Sequence, residues 1–195
     1  MEQKNDLKFF LLEFHGNYIP LQGVEYIIKA AKILEKYPDI KFKLIGNGQT
    51  YPKAKKLAED LKVKNIEFIS ERVPYESIPA FINGADICLG IFGSGDKTQR
   101  VIPNKLYEAV AMKKAVITGD TPGIKEIFTD QKDIMLCRVA DEKDLAEKIL
   151  ILKNNPELKE KIALNGYQTF QKNATPQVVA AQLIIDLKEK LKLYD

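Results

Sequence analysis

Between Lys97 and Ile127 runs the stretch KTQRVIPNKLYEAVAMKKAVITGDTPGIKEI, in which Lys97, Arg100 and Lys105 gather around the start of a helix-patterned segment. Pro103 suits the first helical position, because its missing N–H would be an orphan there in any case. The unbonded amides of Asn104 and Lys105 then face outward beside the positive end of the helix dipole, and with three nearby cations they make an anion site. Glu108 lies one turn further in, where its carboxylate can accept from neutral hydroxyls such as a ribose diol beside a bound phosphate. On residue types alone, solvated cations with Glu108 paired to one of them explain the stretch equally well.

Other loops carry related features. In FHGNYIPLQGVEYI, Gly16 and Gly23 mark a strand-to-helix turn, and LIGNGQ repeats the device with Gly46 and Gly48. Glycine permits close backbone approach to a ligand, although it also simply makes turns. GNGQTY lacks the third glycine of a dinucleotide fingerprint, and there is no Walker lysine pattern. The loop SERVP, with Arg72 and Val73, leads into a further helix. His15 ends a strand-like run, where a packed or capped imidazole is expected rather than a ligand or base. Cys88 and Cys137 sit inside apolar runs and read as buried thiols in a reducing compartment. One histidine and no paired-cysteine spacing leave no basis for a metal site.

These loops need a scaffold, and the pattern supplies one. Short apolar runs (Leu7–His15, IKFKLIG, NIEFIS, ADICLGI, KAVITG, DIMLCRV) alternate with helical patterns. Near-continuous apolar strands between helices predict a Rossmann-like, doubly wound α/β domain with a parallel sheet covered on both faces. Ligands in such domains lie outside the carboxyl ends of the strands, so the loops after His15, Gly46, Ser70, Ile91 and Gly119 are suspect. From Asp141 the chain reads as helical, each segment opening on Asp, Pro or Thr-Pro. The whole is expected to be one domain, 1–195, with 141–195 its C-terminal helical segment. The last segment carries Val178, Val179, Leu183, Ile184, Leu187 and Leu191 along one face.

Bulk composition sets limits. Hydrophobic residues make up 45% and charged residues 29%, and the net charge of +3 is too small to argue for nucleic acid. No apolar run reaches the ~20 residues needed to span a bilayer. Met1 to Lys8 is polar and lacks the pattern of a secretory signal.

The order of motifs resembles the C-terminal, donor-binding domain of the GT-B retaining glycosyltransferases of the group 1 type. The resemblance runs from Phe9 to at least Arg138, through HGNYIPLQGVEYIIKAAKIL, FKLIGNG, IEFISERVPYESIPAFINGADICLGIF, IPNKLYEAVAMKKAVITGDTPGIKEIF and DIMLCRVADEKDLAEKI. It implies a glycosyltransferase half that binds a nucleoside-diphosphate sugar and passes the sugar to a saccharide or lipid-linked acceptor, as in cell-envelope polysaccharide synthesis. No metal or other cofactor is implied. The expected setting is the cytoplasm, with peripheral contact at the inner membrane face through a partner.

The family pattern has two glutamates separated by seven residues. The second, which contacts the ribose, is Glu108; the first, which meets the donor sugar, falls at Arg100. The basic residues that hold the diphosphate in the first loop match Asn17 and Gln22, so both charges are missing. Arg100, Lys97 and Lys105 can replace them from the other side of the phosphates; otherwise the diphosphate site has decayed. The resemblance thus implies Arg100 as the catalytic candidate. The donor-binding candidates are Gly16, Asn17, Gln22, Gly46, Arg72, Val73, Lys97, Asn104, Lys105, Leu106 and Glu108, with Arg72 and Val73 flanking the base. Thr118 to Thr121 are expected to help line the crevice. Family members carry an acceptor-binding domain ahead of this one, so a half-enzyme needing a partner chain is expected. A non-catalytic regulatory subunit that keeps the fold is the rival; a dinucleotide-dependent oxidoreductase is disfavoured by the missing glycine fingerprint.

Overall fold

The apolar runs become six short strands: β1 (Phe10–His15), β2 (Ile40–Ile45), β3 (Ile66–Ile69), β4 (Ile87–Leu89), β5 (Ala115–Gly119) and β6 (Met135–Cys137). The computed structural model describes residues 9–191, so Leu7 and Lys8 of the first expected strand, and the signal-free reading of Met1 to Lys8, lie outside the described residues. The strands form one parallel sheet in the order β3-β2-β1-β4-β5-β6. The doubly wound expectation holds. The order reverses between β1 and β4, which opens a crevice at their carboxyl ends.

Helices cover both faces. They are α1 (Val24–Leu34), α2 (Tyr51–Asp60), α3 (Ile78–Gly84), α4 (Asp96–Gln99), α5 (Asn104–Ala111), α6 (Pro122–Lys125), α7 (Glu142–Asn154), α8 (Pro156–Asn173) and α9 (Pro176–Leu191). Alternation along the strands sorts the core into two layers. Leu12, Phe14, Ile87, Leu89 and Ile117 face α1 and α7, whereas Cys88 and Val116 face Leu106, Ala109 and Val110 of α5. Both cysteines are buried, as their apolar surroundings suggested.

Start signals worked well where a side chain could cap. Asp141 accepts from the amides of Lys143 (3.0 Å) and Asp144 (2.9 Å), and Asn155 accepts from Leu158 (3.0 Å). At α5 the expectation shifts by one residue: Pro103, at φ −74° and ψ 147°, is the extended cap and Asn104 the first helical residue. The four-residue α4 had no sequence signal. In α9 the apolar face does not turn to the sheet. The helix contacts α8, and Val179, Leu183, Ile184, Leu187 and Leu191 remain exposed.

The loops after β1 and β2 close tightly on each other. A side chain at Gly46, which has φ +126°, would collide with the backbone carbonyl of Gly16. Gly46→Ala is therefore expected to destabilise the fold by about 2 kcal/mol or more, through left-handed strain and the clash together. Gly84→Ala, where a Cβ meets nothing within 4 Å, should be neutral or slightly stabilising. Chemical denaturation of the two variants checks the contrast.

Candidate functional site

The carboxyl ends of β1, β2 and β3 and the start of α5 enclose a cleft of about 800 Å³. Nine of the predicted residues line it: Gly16, Asn17, Gln22, Gly46, Arg72, Val73, Asn104, Lys105 and Glu108. At the head of α5 the Leu106 amide donates to the Pro103 carbonyl (3.0 Å), while the Asn104 and Lys105 amides have no partner among the described residues. Those two donors point out of the positive end of the helix.

Lys105 is the buried cation of the cleft, whose wall also carries the exposed Arg72. Although only 7% exposed, it reaches past the end of β1, with Nζ 3.6 Å from the centre of the Phe14 ring. There it donates to Gln22 Oε1 at 2.5 Å. Gly16 makes room, because a Cβ at that position would lie 2.9 Å from Nζ. The hydrogen-bond partner is a neutral amide rather than a carboxylate, so among the described residues the charge is buried without a directly bonded counter-ion. Burial pulls its pKa down to about 7, against the opposing pull of Glu13 and Glu108 at longer range.

Beside it lies a chain of carboxylate and imidazole. His15 Nδ1 is 2.8 Å from Glu13 Oε1 and Nε2 is 2.8 Å from Glu108 Oε2. Burial lowers the imidazole's pKa, but the bonds to Glu108 and Glu13 outweigh it, and His15 titrates above its ordinary 6.5. The His15 bond in turn holds the Glu108 carboxyl below its usual range, against burial and with help from Tyr75. The Tyr75 hydroxyl donates to Glu108 Oε1 at 3.0 Å from across the cleft.

Lys97 and Arg100 are not brought to this cleft. Thr98 is the buried residue of α4; Lys97 and Arg100 face solvent, and Arg100 Nε donates to the Asp96 carbonyl (3.4 Å). Leu106 is also absent from the cleft wall, because its side chain belongs to the core beneath α5. Thr118 and Thr121 are structural: Thr118 Oγ1 accepts from the Ile91 amide (3.1 Å), and Thr121 caps α6. Sequence reasoning missed Glu13 and Tyr75 and read His15 as a packed or capped imidazole. The signal was present in Glu13-x-His15, a strand spacing that places both side chains on one face. Among the described residues no group of three or more His, Cys, Asp or Glu could hold a metal ion, and no helix is long and apolar enough to cross a membrane.

The family model for glycosyl transferases group 1 matches residues 2–169. The chain belongs to that family. An uncharacterised glycosyltransferase of Methanocaldococcus jannaschii is 28% identical over 166 residues, covering 82% of this chain and 42% of that protein. The chain thus spans about two fifths of the length of this relative. The fold is that of a GT-B C-terminal domain. The C-terminal domain of a group 1 protein, LpcC, from Francisella tularensis superposes with a TM-score of 0.74 at 24% identity, covering 86% of this chain and 87% of that one. The Anabaena protein HepE in complex with UDP-glucose superposes with a TM-score of 0.77 at 17% identity, over 93% of this chain and 49% of that one.

The burial of Lys105 has a measurable sign. Its pKa is about 7 in the fold and 10.5 when unperturbed, so folding disfavours its proton. The resulting destabilisation is absent above pH 10.5, grows as pH falls and is complete below about pH 7. Lys105→Met keeps the volume and removes the charge. It is expected to raise Tm most at and below pH 7, by roughly 2–4 °C for each 1 kcal/mol recovered, and the gain should fade toward pH 10.5. Thermal melts of both proteins across this range check it; a pH-independent difference would put the ammonium in water.

Proposed function

We propose that the chain is the donor-binding half of a glycosyltransferase and holds a nucleoside-diphosphate sugar in the cleft. One observation carries the reading: a buried cation with no bonded counter-ion, two free amides at a helix start and a carboxylate stand together on one sheet edge. Cation and amides suit phosphate, and Glu108 suits the ribose hydroxyls. The loop with Arg72 and Val73, which follows β3, lines the same cleft and is available to flank a base. Support also comes from the fold likeness to a protein solved with UDP-glucose.

In transfer, the bond from the sugar's anomeric carbon to the β-phosphate oxygen breaks, and its electron pair leaves with the diphosphate. The acceptor hydroxyl oxygen forms the new bond to the anomeric carbon and passes its proton to the departing diphosphate. Lys105 and the α5 amides stabilise the charge that develops on the leaving group. Lys105, rather than the solvent-facing Arg100 and Lys97, takes the place of the charges missing at Asn17 and Gln22. The acceptor, a saccharide or lipid-linked hydroxyl, is bound by a second domain or chain facing the cleft, and without it the donor is held but not transferred. Arg100 stands at the position the family uses for the donor sugar yet lies outside the cleft wall, which favours a second reading as a non-catalytic nucleotide-binding subunit. Mass spectrometry of acceptors incubated with donor and a supplied N-terminal partner separates the two readings, since only the first yields glycosylated product.

Calorimetry with a panel of nucleosides and nucleoside diphosphates tests the binding site itself. Glu108→Gln should weaken nucleoside and diphosphate alike, about tenfold or more, as expected for loss of a charged hydrogen-bond partner. Lys105→Met should weaken the diphosphate far more than the nucleoside. Arg100→Ala should change both little. Unchanged diphosphate affinity in Lys105→Met sinks the assignment of the phosphate site.

A further inference from the structure

The donor reading uses Glu108 but leaves Glu13 and His15 unexplained. Glu13 is 1% exposed on the central strand, paired in register with Cys88, and its Oε2 has no hydrogen-bond partner among the described residues. His15, two residues on, bridges it to Glu108 with both nitrogens at 2.8 Å. A neutral imidazole carries a single N–H, so it could donate to one carboxylate while turning a lone pair on the other. Both bonds form together on the imidazolium.

We propose that His15 is a positioning residue: as an imidazolium anchored on Glu13, it holds the Glu108 carboxylate in place to accept from a vicinal diol of the ligand. The role rests on the nucleotide reading above. When His15 loses its proton, one of the two bonds fails and Glu108 is released from its fixed orientation. The preference for a diol therefore declines as pH rises through the His15 titration.

Several groups set that titration. Glu13 of β1 and Glu108 of α5 favour the cation, and Lys105 of α5 opposes it. Tyr75 donates to the other oxygen of Glu108, and burial pushes the Cys88 thiol, next to Glu13, well up. Lys105 also gives up its proton in the neutral range, which would weaken phosphate binding over the same interval. Comparing ligands that differ only in the diol removes that contribution.

His15 is the only histidine in the sequence, so imidazole NMR of the whole chain reports it alone. It should titrate above 6.5, and lower in both Glu13→Gln and Glu108→Gln than in the wild type. Calorimetry of UDP against 2′,3′-dideoxy-UDP, and of GDP against its dideoxy counterpart, then measures the diol preference. His15→Ala should reduce that preference about tenfold and abolish its pH dependence. His15→Gln, whose amide can still donate, should restore part of the preference without the pH dependence. A folded His15→Ala with the wild-type preference overturns the proposal, as does an imidazole titration indifferent to both Gln variants. If His15→Ala does not fold, the titrations and the wild-type pH profile decide, a pH-independent diol preference overturning the role of His15 alone. Wild-type protein that binds no nucleoside diphosphate of the panel, UDP and GDP included, overturns the nucleotide reading and the inference together.

Discussion

A carboxylate buried on the central strand of a parallel sheet has to be compensated, and Glu13 governs the arrangement around it. Leaving such a group ionised without a partner is among the most expensive things a core can do. The imidazole of His15 supplies the partner from the same face of β1 and then reaches Glu108 on α5. Packing of Leu106, Ala109 and Val110 seats α5 against the sheet. The charge chain adds a directional tie between that helix and the last residue of β1. Because Lys105 is one turn before Glu108, the same tie sets where the ammonium and the free amides stand.

Topology determines where this assembly can exist. β1 has β2 on one side and β4 on the other, so the loop that leaves it and α5, which lies between β4 and β5 in sequence, meet over its end. Groups 93 residues apart in sequence, His15 and Glu108, become hydrogen-bonded neighbours. Membership of the glycosyl transferases group 1 family fits this architecture. In the proposed reading the positive charge at the phosphates comes from α5, whereas the loop after β1 brings the neutral Asn17 and Gln22 to the cleft.

The sheet was readable because its strands are apolar runs bounded by turn residues, and burial on both faces leaves that mark directly in the sequence. The polar start of α5 was readable for a local reason too, since Pro103, Asn104, Lys105 and Glu108 stand close together in the sequence. What could not be read was orientation. Lys97, Arg100 and Lys105 look alike in a string of residues, yet the turn at α4 sends the first two to solvent while Gly16 opens a path for the third. Glu13 escaped notice, and His15 read only as packed or capped, because their link to Glu108 depends on a partner on another element. Tyr75 reaches Glu108 from the far wall of the cleft, and no periodicity announces a contact of that kind.

The terminal helix is energetically a different object from the rest. α9 contacts α8, and none of its residues is buried. A helix of this length holds its shape only marginally without a packed face. Its backbone amides will therefore exchange with solvent through local fraying, while those of β1 and β5 wait for the sheet itself to open. Two stabilities coexist in one chain, and a helical signal followed on heating will lose the α9 contribution before the cooperative transition that reports on the cleft.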